Sequence, residues 1–271
     1  PWCTMFSNLR CGALSDAVTG KHNMRTIEDL VRPGTASGPK LQTRQEPLAA
    51  YLAETHHVSS SMLRRFARGE AHVERGYVDN GQSRIPNALH AAMLEPGRFA
   101  QEYFVMDEDP AVQAYAEKDD LLDRVWLNSG EHAELVAMQH AIREYPRAPL
   151  AAALDSGMRE LSIYWTDESG ARWKARPDCF TEDAIYELKT TQDVRPAAFA
   201  RTRRRFGYDL QAAHYMEAVR RLTGHAPSFS YIAIEPRAPY YVWVHTLGPA
   251  DVERAAEELA LVRSRYLAAA A

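Results

Sequence analysis

The sequence predicts an α/β fold in which a mixed β-sheet is flanked by helices. Three observations predict it: helical patterns come first, a β-hairpin and a third apolar strand follow, and a helix, two strands and a last helix end the chain. A chain of 271 residues is long enough for one such domain with an elaborated N-terminal part.

Four helical patterns precede the strands. They span residues 59–68, 86–94, 129–145 and 150–158. The first begins at a serine N-cap, Ser59 or Ser60, and the second carries Pro86 in its first turn, where a proline is tolerated. The third is amphipathic and ends before Pro146, which cannot continue a helix.

The strands begin with a predicted hairpin. Residues 161–165 and 171–176 predict two strands joined by the turn signal of residues 167–170. Residues 184–190 predict a third strand, which a short connection at residues 181–183 links to the hairpin.

Helix and strand patterns then continue to the end of the chain. Residues 205–222 predict a long helix that is ended by Gly224. Residues 229–234 and 240–245 predict two further strands, and a last helix starts at Pro249 and runs to about residue 266.

The charge pattern indicates one basic segment. The net charge is −4 at pH 7, so a nucleic-acid enzyme of this composition must concentrate its positive charge locally. Such a concentration occurs just before the helix that contains residue 208, and its members are Arg201, Arg203, Arg204 and Arg205. They are candidates for binding DNA phosphates, and a solvated basic helix start is the alternative interpretation.

Cysteine usage and hydropathy predict the compartment. The three cysteines, Cys3, Cys11 and Cys179, form neither a zinc pattern nor an even disulfide set, which favours a reducing cytoplasm. No apolar run is long enough to span a bilayer and no secretory leader is visible. We therefore expect a cytoplasmic protein without membrane contact.

Charged residues cluster around the third predicted strand. Side chains alternate along a strand, so Glu187 and Lys189 point to one face while Tyr186 and Leu188 point to the other. Asp178 follows the preceding strand and is expected to meet the first pair. Two carboxylates and an ammonium suit a hard cation, Mg²⁺ or Mn²⁺ rather than zinc, and a water held at a phosphodiester. Charges paired on a solvated hairpin are the alternative.

This pattern of Pro-Asp followed by Glu-x-Lys resembles the PD-(D/E)xK nuclease superfamily. The resemblance extends to exonuclease VIII, the RecE-type phage recombination exonucleases, through four blocks in the family's order. The blocks are residues 58–63 (VSSSML), 87–96 (NALHAAMLEP), 161–191 and 208–215 (YDLQAAHY). They cover residues 58–271, which we take as the nuclease domain, with an N-terminal arm or extension over residues 1–57; we expect one compact domain overall.

The resemblance also implies further site residues. RecE-like and RecB-like nucleases carry a metal-binding histidine on an upstream helix, a role that falls here to His90, and the backbone carbonyl of Leu188 becomes a further ligand. Gln211 and Tyr208 share one helix face with Tyr215. The resemblance places Gln211 beside the active site, to orient the water or a phosphate, with Tyr208 next to it; packing against a neighbouring helix is the alternative.

The function that the resemblance implies is a processive 5′-to-3′ exonuclease on linear double-stranded DNA. Such an enzyme leaves 3′ overhangs, uses one or two Mg²⁺ ions (or Mn²⁺ in their place), and works with a single-strand annealing protein of the RecT or Bet type. Family members form trimeric or tetrameric rings in bacterial or phage-infected cells. Lys189 would hold the attacking water or stabilise charge on the phosphate. Glu160 is within reach of a second metal, with a surface salt bridge as the alternative.

Two other functions remain open from the sequence. One is a RecB-like PD-(D/E)xK endonuclease or repair nuclease, which a circular substrate would distinguish. The other is a non-catalytic DNA-binding module, against which the intact set of Asp178, Glu187 and Lys189 speaks.

Overall fold

The computed structural model describes residues 41–69, 84–106, 124–146 and 150–270. The helices in these ranges are α1 (Leu48–Ala53), α2 (Ser60–Ala67), α3 (Arg84–Leu94), α4 (Pro96–Glu102), α5 (Ser129–Arg143), α6 (Leu150–Ser156), α7 (Pro196–Phe206), α8 (Tyr208–Thr223) and α9 (Pro249–Ala270). The strands are β1 (Gln42–Arg44), β2 (Val58–Ser59), β3 (Tyr103–Met106), β4 (Val125–Asn128), β5 (Met158–Arg159), β6 (Ser162–Thr166), β7 (Arg172–Ala175), β8 (Cys179–Phe180), β9 (Ala184–Thr190), β10 (Ser228–Ile234) and β11 (Val242–Thr246). The predicted α/β class is confirmed. Within the described ranges no helix is long and apolar enough to cross a membrane.

A five-stranded mixed sheet carries the predicted site. Its strand order is β11–β10–β9–β8–β5, and of its pairs β9 with β10 is the parallel one. Parallel strands are usually covered on both faces, and this pair is too. Ile185 on β9 packs in a core with α8 and α9, whereas Leu188 packs in a second core with α3, α5 and α6.

A four-stranded sheet, ordered β1–β6–β7–β2, contains the predicted hairpin. β6 and β7 pair antiparallel around the predicted turn. Asp167 Oδ1 accepts hydrogen bonds from the backbone N–H groups of Ser169 (2.9 Å) and Ala171 (3.1 Å), which holds the turn closed. The hairpin prediction is therefore confirmed.

The connection from the hairpin to the third strand differs from the prediction. The sequence suggests that β9 follows the hairpin directly, but β7 and β9 lie in different sheets. The short strand β8 stands between them and pairs antiparallel with β9. Pro177, which has no N–H to donate to a ladder, lies in the break between β7 and β8.

The predicted helix of residues 205–222 corresponds to α8, which begins at Tyr208, and a separate helix that was not predicted, α7, precedes it. α7 ends and α8 begins at Gly207, whose φ of +63° is a left-handed conformation that favours glycine. A Cβ there would lie 3.2 Å from Cγ of Arg64 on α2, so a larger residue would need the Arg64 side chain to shift as well as a strained backbone angle. The basic segment consequently lies in the last turns of α7 rather than at the start of a long helix.

Other helix predictions are confirmed in detail. The hydroxyl of Ser59 caps α2 by accepting a hydrogen bond from the N–H of Met62 at 3.3 Å. Gly224 ends α8 in a left-handed conformation. The apolar positions that α5 buries are Leu135, Met138 and Ile142.

Part of the predicted N-terminal extension is built into the hairpin sheet. β1 pairs antiparallel with β6, and Lys174 Nζ donates a hydrogen bond of 2.6 Å to the carbonyl oxygen of Tyr51 in α1. Tyr51 is itself buried. Residues 41–57 of the predicted extension thus include a strand and a helix that contact the hairpin sheet. The rest of the predicted arm, residues 1–40, lies outside the described residues.

Candidate functional site

The two carboxylates of the predicted site meet because of the register of β8 and β9. Cys179 pairs with Tyr186, so Asp178, one residue earlier, lies beside Glu187, one residue later. Asp178 Oδ2 accepts a hydrogen bond of 2.7 Å from the backbone N–H of Leu188, which fixes its carboxylate against β9. Both carboxylates are buried, unlike the charges of a solvated hairpin.

His90 reaches the same place from α3. Its Nδ1 lies 3.0 Å from the carbonyl oxygen of Pro86, one turn earlier in the helix, and must donate to it. The other nitrogen, Nε2, lies 3.1 Å from Asp178 Oδ2 and 3.1 Å from the carbonyl oxygen of Leu188. When the imidazole is neutral, its Nε2 lone pair therefore points at two oxygen atoms that also carry lone pairs, and a cation between the three would satisfy all of them.

The distances from His90 Nε2 to the two oxygens fit a small octahedral cation. Adjacent ligands at about 2.1 Å from Mg²⁺ are separated by about 3 Å, which matches the two distances measured from His90 Nε2. No group of three His, Cys, Asp or Glu side chains that could hold a metal occurs in the described part of the chain. The set is instead completed by a backbone oxygen, that of Leu188.

In the absence of a metal, the pKa values of His90 and Asp178 are shifted by their mutual proximity. Burial alone would lower the pKa of His90, but the charge and hydrogen bond of Asp178 outweigh it and raise that pKa to about 9. Burial alone would raise the pKa of Asp178, but His90, Lys189 and the Leu188 N–H hold it below its ordinary value. A positive charge at this point is thus strongly favoured by the surrounding carboxylate.

Glu187, Lys189 and Gln211 form a second group beside the first. Lys189 Nζ lies 2.8 Å from Glu187 Oε1, and Gln211 Nε2 donates to the same oxygen at 2.9 Å. Gln211 Nε2 also lies 3.1 Å from the hydroxyl of Tyr215, one turn further along α8. The amide oxygen of Gln211 is buried without a hydrogen-bond partner among the described residues.

The charges of this second group are also shifted. Burial and the charge of Asp178 raise the pKa of Glu187 above its ordinary value. Burial works against the charge of Lys189, but Glu187 and Asp178 prevail and raise the pKa of the ammonium group. Lys189 is therefore a cation at neutral pH and acts as a source of positive charge rather than as a base.

Tyr208 lies next to the site without a direct bond to the carboxylates. Its ring faces Lys189, whose Nζ is 5.0 Å from the ring centroid, and the carbonyl oxygen of Tyr208 accepts a hydrogen bond of 2.8 Å from the hydroxyl of Tyr231. The structure thus brings together five of the residues predicted for the site around one point, with Tyr208 at its margin. The five are His90, Asp178, Glu187, Lys189 and Gln211.

The predicted phosphate-binding arginines divide into two kinds. Arg203 is buried, and its guanidinium pairs with Asp209 at 2.8 Å and with Asp251 at 3.3 Å. Its donors are directed to carboxylates of α8 and α9, unlike those of its exposed neighbours. The three that are exposed, and for which the prediction stands, are Arg201, Arg204 and Arg205.

A buried network of ion pairs adjoins the site at Asp178, whose carbonyl oxygen accepts a hydrogen bond from the N–H of Glu160. Glu160 is buried rather than on the surface, and its carboxylate accepts a hydrogen bond of 2.6 Å from Arg176 Nε. Arg176 also donates to Glu95 at 3.1 Å. Burial and the nearby charge of Asp178 raise the pKa of Glu160 to about 8, against the effect of Arg176. Arg176 and Glu95 were not predicted; the one signal in the sequence is that both lie inside the blocks that resemble the RecE-type family.

Comparisons with known proteins give the family of the chain and a similar fold. Residues 59–271 match a family model described as a PDDEXK-like domain of unknown function (DUF3799). The chain is also similar to the crystal structure of a "Putative exonuclease" from Eubacterium rectale, with a TM-score of 0.58 and 16% sequence identity over 83% of this chain and 86% of that chain. At that identity the likeness is one of fold. No curated protein sequence matches the chain.

Proposed function

The chain belongs to the family of PDDEXK-like domains whose model spans residues 59–271, and on this premise we propose that it is a metal-dependent deoxyribonuclease. The observation that carries the proposal is that Asp178 Oδ2 and the Leu188 carbonyl oxygen each lie 3.1 Å from His90 Nε2. A paired carboxylate and ammonium, Glu187 and Lys189, stand on the same strand beside them.

The residues would hold Mg²⁺, or Mn²⁺ in its place, and one or two ions per site remain compatible with the donor set. His90, Asp178 and the carbonyl oxygen of Leu188 would be the primary ligands. Glu187 would be the further carboxylate ligand. A bound divalent cation supplies a Lewis acid for the phosphate and lowers the pKa of water.

The protein's own side chains account for the rest of the chemistry. Lys189, held by Glu187, directs an ammonium at the position where negative charge grows on the phosphate. Gln211 holds Glu187 in place through its amide nitrogen, and the family resemblance gives it the further role of orienting the attacking water. The apolar core around Leu188 covers the opposite face of β9 and limits the access of bulk water from that side.

Within this class we propose the activity of RecE-type enzymes: processive 5′-to-3′ digestion of linear double-stranded DNA that leaves 3′ overhangs. The support is the order of four sequence blocks between residues 58 and 215, together with the exonuclease name of the similar structure. The same resemblance supports a trimeric or tetrameric ring around the DNA and a single-strand annealing partner of the RecT or Bet type.

The decisive experiment follows the two ends of a linear duplex. A duplex labelled at one 5′ end or at one 3′ end is incubated with Mg²⁺ or with EDTA, beside a closed circular control. Early, Mg²⁺-dependent release of the 5′ label with an intact circle is expected. A nicked or cut circle would instead indicate a RecB-like endonuclease, and no cleavage with either Mg²⁺ or Mn²⁺ would leave a DNA-binding module.

Two substitutions link that activity to the site. Asp178→Ala and Glu187→Ala are each expected to abolish cleavage, because each removes a carboxylate that the cation needs. Circular dichroism checks that the fold is retained, although Asp178→Ala loses the bond to the Leu188 N–H and Glu187→Ala loses the pair with Lys189. Near-normal activity in either variant would mean that the site lies elsewhere. Exposed Glu257→Ala on α9 serves as a matched carboxylate control with unchanged activity.

A further inference from the structure

Two aromatic rings lead from the candidate site to the protein surface. Tyr208, whose ring lies beside Lys189 at 5.0 Å, stacks with Phe206 at a centroid distance of 5.7 Å and an interplanar angle of 25°. Exposure rises outward along this path, since the Lys189 side chain is 14% exposed and Phe206 is 41% exposed. We call the pair of Phe206 and Tyr208 the aromatic step.

The step is flanked by guanidinium groups. The Arg64 guanidinium carbon lies 5.8 Å from the Tyr208 ring centroid, and its Nη1 donates a long hydrogen bond of 3.5 Å to the carbonyl oxygen of Phe206. The Arg205 guanidinium carbon lies 5.4 Å from the centroid of the Phe206 ring and the side chain is exposed. Stacked rings with arginines at their margins form the combination that binds a base by its face and the adjoining phosphates by charge.

The backbone fixes this arrangement. Gly207 takes φ +63° between the two aromatic residues, which ends α7 and starts α8. The turn brings both rings to the same side of the helix junction, although neighbouring positions i and i+2 of a continuous helix face apart. The absence of a Cβ at Gly207 also leaves room for Arg64 to pass against the junction. The step is therefore a product of the helix break.

We propose that the aromatic step stacks on a nucleobase of the DNA strand whose phosphate lies at Lys189, and that this base is unpaired when it does so. The inference rests on the proposed function, because it places DNA at the site. A ring can cap the end pair of a duplex without opening it, but a base within the strand, next to the phosphate at Lys189, can stack on the ring only after it has left its partner. The step would therefore hold the strand locally open. Stacking of this kind does not depend on the base identity, which suits an enzyme that digests any sequence.

In the bound state the base takes the place over Phe206 where Arg205 lies in the free protein. The displaced guanidinium, which is exposed and on a flexible stem, then reaches a neighbouring phosphate. Phe206 becomes a positioning and strand-separating residue.

The test uses a fluorescent base whose emission is quenched by stacking on an aromatic ring. 2-Aminopurine is placed at each of the first three nucleotides of either strand of a short duplex, and binding is followed in Ca²⁺, with the DNA checked to be intact afterwards. Because 2-aminopurine is already quenched inside a stacked duplex, the variants are compared as DNA complexes, and the base at one of these positions should stay quenched with the wild-type protein. Phe206→Ala should lose that quenching and weaken DNA binding about 5- to 150-fold, the range for one base–aromatic stack.

Three further variants separate stacking from apolar contact and from folding. Phe206→Tyr keeps a ring face and should restore quenching and affinity, whereas Phe206→Leu keeps apolar bulk and should restore neither. Tyr241→Ala removes another aromatic residue, 60% exposed and next to the edge strand β11, and should behave as wild type. Thermal unfolding of each variant gives the check that the fold is retained.

The outcomes distinguish this proposal from the proposed function. If Phe206→Ala quenches and binds as the wild type does, or if Phe206→Leu equals Phe206→Tyr, the aromatic step does not stack on a base, even if Mg²⁺-dependent cleavage is present. If the wild type quenches in the expected way but cleaves nothing with Mg²⁺, the step stands and the nuclease function fails. A wild-type protein that binds no DNA would overturn both.

Discussion

Acidification from pH 7 to pH 5 is expected to destabilise this fold through one buried histidine, His214. Its ring on α8 is inaccessible to solvent. Nε2 lies 2.9 Å from the carbonyl oxygen of Lys174 and donates to it, while Nδ1 accepts a hydrogen bond of 2.9 Å from Arg263. Arg263 is a cation paired with Glu217, so a proton added to Nδ1 would face a guanidinium. Only the neutral imidazole satisfies both contacts.

The size of the effect follows from the pKa of this group. Burial, and then the charge of Arg263, lower the pKa of His214 from 6.5 to about 3, although the hydrogen bond to Lys174 acts in the other direction. Because the folded pKa is below the unfolded one, the unfolded state takes up the proton first. The stabilising contribution is complete above pH 6.5 and is lost as the pH falls towards 3. At about 1.4 kcal/mol per pH unit below the unfolded pKa, the loss between pH 7 and pH 5 is about 2 kcal/mol.

Urea denaturation at the two pH values measures this contribution. The change in the free energy of unfolding between pH 7 and pH 5 should be about 2 kcal/mol smaller in His214→Gln than in the wild type, because glutamine keeps an amide donor and does not titrate. His140→Gln, which removes an exposed histidine on α5, should leave the wild-type pH dependence unchanged. An identical pH dependence in the wild type and His214→Gln would refute the reasoning, since it would mean that His214 is not kept neutral by its surroundings.

Three other outcomes are expected from single substitutions. Arg203→Ala should lower the free energy of unfolding in urea by about 3–5 kcal/mol, because it leaves the Asp209 carboxylate buried without its main partner. Exposed Arg204→Ala should keep the wild-type stability and reduce the salt dependence of DNA binding. Equal losses of stability in the two variants would contradict the distinction between a buried and an exposed arginine. Gly207→Ala should lower stability by about 1 kcal/mol or more, since alanine is strained at a φ of +63°, and a stability unchanged within error would argue against that backbone angle. Asp178→Asn should remove calorimetrically measured Mn²⁺ binding while the melting temperature stays within a few degrees; retained binding would exclude this carboxylate as a ligand.

Local features of the sequence predicted a good part of the candidate site. The alternation of side chains along a strand placed Glu187 and Lys189 on one face, and in the structure they lie 2.8 Å apart. The family match also confirms the predicted membership of the PD-(D/E)xK superfamily, while the finer RecE-type assignment stays a proposal. The N-cap of α2 at Ser59 and the end of α8 at Gly224 were equally predictable, because caps depend on a few neighbouring residues.

Packing between distant segments decided the remainder. His90 is 88 residues from Asp178 and 98 residues from Leu188 along the chain, yet it lies within 3.1 Å of both. Nothing in the sequence of its own helix predicts that proximity, and only the family resemblance suggested that His90 belongs to the site. Arg203 was indistinguishable in sequence from its exposed neighbours, since only the approach of α8 and α9 shows which arginine finds carboxylates.

The sequence by itself therefore determined the strand that carries the carboxylate and ammonium pair, the hairpin before it and the class of the fold. These follow from backbone geometry and side-chain periodicity, which act over a few residues. The tertiary structure alone decided the break at Gly207, the short strand β8, the buried pairing of Arg203 and the meeting of α3 with β9. Each of these depends on which surfaces pack together, and burial, hydrogen-bond partners and pKa values are properties of that packing rather than of any local segment.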